Sequence, residues 1–376
     1  MRVAIVHYWL VTMRGGEKVL EELCHLYPDA DIYTHVFIPD KVSDVIKSHR
    51  IKTTFIARLP GSGRHYAKYL PLMPLALEQL DLRKYDLVIS SESGPAKGVI
   101  TGEQTLHICY CHTPMRYLWN MYHDYKESSG PLTRFVMTPT FSYLRQWDYL
   151  SAARVDHFIA NSTAVQHRIA KTYRRTSTVI HPPVAVESFS SATAVGDFYL
   201  CCGQLVPYKR VDIAVEAFNR LGKKLVVVGE GSEAARLRRL SGPTIAFLGS
   251  QPASELRRLY ASCRALVFPG EEDFGIVPVE ALASGRPVIA YDRGGIRDSV
   301  RDGRNGILFP QQTVEDLVGA LGRFEREEDS FSPQNITVEA ARFSTSRFRE
   351  EMSNLVEETM ARFRQHGPLL TNTPPW

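Results

Sequence analysis

Three consecutive acids, Glu271, Glu272 and Asp273, lead through Phe274-Gly275-Ile276-Val277-Pro278 to a fourth carboxylate, Glu280. Glu272 and Glu280 have seven residues between them. Carboxylates accept hydrogen bonds from hydroxyls, and backbone amides at a helix start donate to acceptors. Acceptors at both ends with donors from Phe274 to Val277 in the middle therefore describe a polyhydroxyl receptor. The pattern predicts a buried strand over Ala265–Phe268, a bend at Gly275 and a short helix entered through Pro278, whose missing N–H is no loss at the first helical position. Glu280 then falls in the first turn, where the macrodipole favours an acid. Any one of these acids could be a solvated loop residue or a helix-start residue. Their combination at the carboxyl end of an inner strand, the edge where open α/β sheets bind ligands, points to a site.

Further chemistry-bearing residues recur at strand ends. Gly15-Gly16 lies between a strand at Arg2–His7 and a helix at Glu17–Leu26, so its amides can approach a phosphate at a positive helix end. Gly203-Gln204-Leu205-Val206-Pro207-Tyr208-Lys209-Arg210 holds the equivalent place in the second half, where Lys209 opens the helix Val211–Arg220 and adds its ammonium to the dipole. His112 ends an inner strand ahead of an aromatic loop (Tyr117, Trp119, Tyr122, Tyr125). Gly229-Glu230-Gly231-Ser232-Glu233-Ala234 matches a dinucleotide fingerprint, yet it follows the second strand of its half. Gly249-Ser250-Gln251 stands where an acidic ribose partner belongs, which disfavours a nicotinamide-dependent dehydrogenase. Asp29-Ala30-Asp31 sits at a strand's amino end and reads as a turn. Arg50, Lys52, Arg58, Arg64 and Lys68, interleaved with Ile51, Phe55, Ile56, Tyr66, Tyr69 and Leu70, suit either a solvated face over a core or a segment meeting anionic lipid.

The elements that must position these residues alternate between strand and helix. Strands are predicted at Arg2–His7, Asp31–Phe37, Asp86–Ser90, Leu106–His112, His157–Ala160 and Ser177–His181. A second series runs at Phe198–Cys202, Lys224–Val228, Thr244–Leu248, Ala265–Phe268, Pro287–Ala290 and Gly306–Phe309. Such alternation means parallel sheets covered on both faces, so the fold class is α/β. At 376 residues the chain fits two domains. Residues 1–184 form an N-terminal Rossmann-like domain, with a C-terminal helix of about 352–376 packing back on it, and residues 185–351 a second, the two facing across a cleft. Pro182–Asp197 reads as a linker and Pro368–Trp376 as a loosely ordered tail.

Hydrophobic residues make up 44% and charged residues 23%, ordinary for a soluble enzyme. No run is long enough to cross a bilayer, and the chain opens directly on a strand, which predicts no cleaved signal. The six cysteines show neither zinc spacing nor a disulfide framework, so a reducing cytoplasm and no metal are expected. Residues 1–184 hold 22 Lys and Arg against 16 Asp and Glu, and the remainder 23 against 25. That imbalance is too mild for a nucleic-acid binder.

With those motifs in place, the chain resembles a retaining glycosyltransferase of family 4, of the GT-B fold, and more narrowly the bacterial mannosyltransferases of polysaccharide assembly. The resemblance covers nearly the whole chain. It rests on Glu272 and Glu280 with Phe274-Gly275 between them, supported by Gly15-Gly16, His112, Lys209, Gly285-Arg286-Pro287-Val288 and Gly294-Gly295. It implies a hexosyltransferase in which Glu280 binds ribose and Glu272, with the amides of Phe274, Gly275, Ile276 and Val277, holds the donor sugar. Lys209 and the Gly16 amide would hold the diphosphate. His112 would lie beside the transferred sugar, and the strand end at Leu248 and Gly249 would meet the base. Gln204 replaces the family's usual Arg, so Lys209 or Arg210 must carry more of the phosphate charge, and Asp273 stands where Gly is frequent.

The resemblance further implies GDP-mannose as donor, a polyprenyl-diphosphate-linked or oligosaccharide acceptor, no cofactor, and a place in the cytoplasm or peripherally on the inner face of the plasma membrane. Other readings are a UDP-sugar-dependent glucosyl- or galactosyltransferase, a nucleotide-sugar epimerase and a silent binding module.

Overall fold

The computed structural model describes residues 1–127, 130–192 and 194–367. The expected tail Pro368–Trp376 lies outside these. The chain divides into two compact units, one of Met1–Pro182 joined by the segment from Phe348 onward, the other of Pro183–Arg347.

The first unit carries seven parallel strands: β1 (Val3–His7), β2 (Asp31–Thr34), β3 (Arg50–Thr53), β4 (Leu87–Glu92), β5 (Leu106–Cys111), β6 (His157–Ala160) and β7 (Thr178–Val179), in the order β3-β2-β1-β4-β5-β6-β7. The second unit carries six: β8 (Tyr199–Cys202), β9 (Leu225–Val228), β10 (Ile245–Gly249), β11 (Leu266–Phe268), β12 (Val288–Tyr291) and β13 (Gly306–Phe309), in the order β10-β9-β8-β11-β12-β13. Each order runs outward from its first strand and then reverses, which is doubly wound Rossmann topology. Each unit has its own switch point, between β1 and β4 in the first and between β8 and β11 in the second.

Central strands such as Val3–His7 and Leu266–Phe268 are buried at every position, as a sheet covered on both faces requires. Within the first unit, Phe348, Met352, Val356, Met360 and Phe363 of the helix Thr345–His366 join the core formed by β1, β4 and β5. That spacing is the apolar stripe of an amphipathic helix.

Two local expectations need correction, and one basic segment divides into buried apolar and exposed charged residues. β2 stops at Thr34, three residues before the predicted end, and a further strand, β3, pairs with it. β3 is a short edge strand reading Arg-Ile-Lys-Thr, a pattern of charge on alternate positions that protects a sheet edge. The basic and apolar residues after it do not share a face. Ile56 is fully buried, with Phe55, Tyr66, Tyr69 and Leu70 packed on the same small core, while Arg58, Arg64 and Lys68 are exposed. Finally, the start of the linker is built into the second unit. Val184 N donates to Phe343 O (2.9 Å), and Val184 packs with Phe274, Val279 and Phe343.

Asp31 lies at the amino end of β2, ion-paired to Lys52 (2.8 Å) and Lys84 (3.4 Å) and bonded by Tyr85 Oη. Its burial opposes ionisation, but these partners prevail and hold the carboxyl down at about 2.

Candidate active site

In the second unit, the loops leaving β8 and β11 at the switch point bring Lys209 and Glu272 into an ion pair. Burial works against the Lys209 ammonium, yet the Glu272 carboxylate outweighs it and keeps the lysine above its ordinary pKa. Lys209 closes a 3₁₀ turn, Pro207–Lys209, rather than opening the following helix Val211–Leu221.

Arg210, between the two, has a left-handed backbone (φ 50°), and its guanidinium grips Asp212 at 3.1 Å. It therefore faces its own helix start, and Lys209 is the cation of this loop that meets Glu272. Gln204 lines a small recess with Lys209, Cys202 and Phe268. Leu248 and Gly249 close β10, two strands from β8, with Leu248 40% exposed.

Glycine packing sets these loops. A Cβ on Gly229 would stand 1.9 Å from Gly203 O, and one on Gly231 2.1 Å from Leu205 O. The dinucleotide-like glycines thus seat the Lys209 loop against the loop leaving β9. In the same way Gly295 N donates to Glu272 O (2.9 Å), and a Cβ on Gly295 would come within 2.2 Å of Asp273 O. Gly294-Gly295 is the floor on which the acidic loop rests.

The helix after that loop runs Ile276–Ala283, with Gly275 as its cap at φ 94°. Pro278 is its third residue, not its first. Glu280 is therefore in the second turn, too far in to serve as a helix-start acid. Helix geometry leaves the amides of Gly275, Ile276 and Val277 without intrahelical acceptors, beside Glu272.

Glu280 is 8% exposed, and its Oε2 accepts from Tyr260 Oη at 2.9 Å. Tyr260, on the helix Ala253–Ser262, is fully buried, and it also meets the Cys202 thiol, which burial pushes up to about 11. Neither residue carries a sequence signal. Tyr260 lies on a helix otherwise remote from the acidic motif, and only folding brings it to Glu280.

In the first unit, the helix Gly15–Leu26 begins two residues before the expected Glu17. Glu17 is its third residue and reaches back to Arg14 N (2.9 Å). Gly16 is required by space, because a Cβ there would stand 2.2 Å from Tyr8 Oη and 3.6 Å from His112 Nε2. His112 follows β5 directly and is 9% exposed. Its Nε2 shares a hydrogen bond with Ser91 Oγ (2.9 Å), and Ser91 Oγ shares another with His7 Nδ1 (3.1 Å). His7 Nε2 in turn faces Glu17 Oε1 at 3.8 Å. Burial, helped by His7, lowers the His112 pKa to about 3, so its imidazole is neutral in any physiological buffer. His7, Ser91 and Glu17 were not singled out by motif. The available signal was position: His7 ends β1, Ser91 is the last residue but one of β4, and Glu17 lies in the first turn of the helix after β1.

Solved structures of like architecture are glycosyltransferases of the GT-B fold. Anabaena Alr3699/HepE in complex with UDP and glucose superposes with a TM-score of 0.70 at 17% identity, covering 95% of this chain and 99% of that one. WaaG, a glycosyltransferase involved in lipopolysaccharide biosynthesis, gives 0.67 at 15% identity, covering 94% and 99%. The family description "Glycosyltransferase Family 4" matches residues 13–188, and "Glycosyl transferases group 1" matches residues 194–342. The chain belongs to glycosyltransferase family 4.

Among curated relatives, the GDP-mannose-dependent alpha-mannosyltransferase of Mycobacterium tuberculosis (strain CDC 1551 / Oshkosh) is 44% identical over 109 residues, 29% of each chain. The O-antigen chain mannosyltransferase RfbU of Salmonella typhimurium is 26% identical over 268 residues, 67% of this chain and 73% of that one. Several of the matches span less than half of the relative's own length.

Proposed function

We propose that the chain is a retaining hexosyltransferase that moves mannose from GDP-mannose onto a lipid-linked or oligosaccharide acceptor in cell-surface polysaccharide synthesis. The observation that carries this reading is the Lys209–Glu272 pair at the switch point of the second unit, with Glu280 fixed by Tyr260 nearby. The donor class follows from the chemistry: a cation and helix-start amides for the diphosphate, two carboxylates for sugar and ribose hydroxyls. Mannose and guanosine rest on the relatives' names. His112 is taken to face the transferred sugar as a neutral hydrogen-bonding group.

In the reaction the bond from the anomeric carbon to the diphosphate oxygen breaks, and a bond to the acceptor oxygen forms on the same face. The acceptor's proton goes to the departing phosphate. Lys209 and the amides of Gly275 to Val277 take up the growing negative charge, a preorganised electrostatic contribution. Contact with an anionic membrane would use the exposed Arg58, Arg64 and Lys68, beside which Leu72 and Leu75 are 41% and 52% exposed. No helix among the described residues is long and apolar enough to cross a membrane.

Titration calorimetry with GDP-mannose, UDP-glucose and ADP-glucose tests the donor. GDP-mannose is expected to bind, and Glu280→Ala to remove that binding. Binding of UDP-sugars alone would overturn the mannose assignment in favour of a glucosyl- or galactosyltransferase, the class suggested by the UDP and glucose in HepE. A Glu280→Ala protein that binds donor as the wild type does would overturn the site. A new sugar nucleotide formed without acceptor would favour an epimerase.

A further inference from the structure

The chain of contacts beneath Gly16 has a consequence for His112. Ser91 Oγ carries one proton and stands between two imidazole nitrogens, 3.1 Å from His7 Nδ1 and 2.9 Å from His112 Nε2. It can give that proton to one of them; the other must bear its own N–H and donate to Oγ. The choice is made at the far end. His7 is fully buried, and among the described residues its Nε2 has no hydrogen-bond partner, its neighbour being Glu17 Oε1 at 3.8 Å. Burial opposes the charge on Glu17, but His7 and the Arg14 amide keep it a carboxylate.

A nitrogen lone pair turned toward a buried carboxylate is repelled, whereas an N–H is attracted, so when the His7 ring holds one proton that proton sits on Nε2. His7 Nδ1 is then an acceptor. Ser91 donates to it and receives the proton of His112 Nε2–H.

We propose that Glu17, His7 and Ser91 are positioning residues that hold His112 in its Nε2–H tautomer and present its Nδ1 lone pair to a hydroxyl of the ligand. The proposal rests on the reading that His112 faces the transferred sugar. It adds a specificity: the ligand group at Nδ1 is a hydrogen-bond donor. His7 and Ser91, buried at the ends of β1 and β4, meet each other's polar atoms, and Ser91 also meets His112.

Nitrogen-15 spectra of the full chain labelled at histidine test this, with His112 assigned by its loss in His112→Gln. Long-range proton–nitrogen couplings should show His112 protonated at Nε2 and bare at Nδ1. Ser91→Ala should abolish that preference and lower kcat roughly tenfold or more, as loss of orientation does; Ser91→Thr should restore both. Glu17→Gln reads the relay from its other end and should mix the tautomers of both histidines. Protonation of wild-type His112 at Nδ1, or a Ser91→Ala protein with wild-type nitrogen shifts and kcat, would overturn the proposal. The tautomer is read without turnover, so a chain that transfers no sugar would sink the functional reading and leave the relay standing or falling by its own spectrum.

Discussion

A buried phenol helps to orient Glu280. Tyr260 Oη donates to one carboxylate oxygen at 2.9 Å, and the buried ring keeps the hydroxyl from turning elsewhere. Tyr260→Phe removes the bond and leaves the ring's packing in place. We expect the Kd for GDP-mannose to rise about tenfold, the equivalent of one hydrogen bond to a charged group, with little change in melting temperature. Calorimetry of the variant beside the wild type checks both halves. At the same scale Lys209 and Glu272 pair with each other, and under the proposed function a donor would offer phosphates to the cation and hydroxyls to the acid.

Between elements, a fully buried charge cluster holds the loop that leaves β4. Lys97 Nζ pairs with Glu92 Oε1 (2.8 Å) and with Asp148. Asp148 also accepts from Trp119 Nε1 (2.7 Å) and Tyr173 Oη (3.0 Å), while Glu92 Oε2 accepts from the Lys97 amide (2.6 Å). These bonds join the end of β4, the aromatic loop after His112, the helix Pro131–Ser151 and the helix Thr163–Tyr173. Ser91, one residue before Glu92, is set by this clamp. Lys97→Met keeps the length of the side chain but strands two carboxylates away from water. Denaturant unfolding should show a loss of about 3–5 kcal/mol, the cost of breaking a buried pair from one side. A milder loss would mean that water reaches the cluster.

Taken as a whole molecule, the two units differ in how they meet acid. All twelve histidines lie outside residues 183–347. In the first unit, burial lowers His35 and His107 to about 4 and His112 to about 3, against 6.5 for an unperturbed imidazole. A depressed folded-state pKa means that the unfolded chain binds protons first, so stability is full above pH 6.5 and falls as pH drops toward 4. Each such histidine contributes a slope of about 1.4 kcal/mol per pH unit in that window. The first unit should therefore melt ahead of the second as pH is lowered from 6.5 to 4, seen by calorimetry as one transition separating into two. A single transition that shifts without splitting would contradict this.

The sequence by itself determined the two strand–helix series, all six strands of the second unit to within a residue or two, and the acidic loop with its glycines. These are local facts: hydrophobic runs of strand length, Gly and Pro at turns, and acids at a fixed spacing all act within a few residues. It also placed His112 at a strand end and Lys209 on the loop after the first strand of the second unit. What it could not determine was which distant side chains meet them. β3 escaped notice because a four-residue edge strand with charges on alternate positions looks like a polar surface. The direction of Arg210 depends on a left-handed backbone and on Asp212. Tyr260 reaches Glu280 across twenty residues, and Ser91 joins His7 to His112 across three strands. Such pairings exist only once parallel strands have been laid side by side in a particular order, and the order, not the local chemistry, chose them.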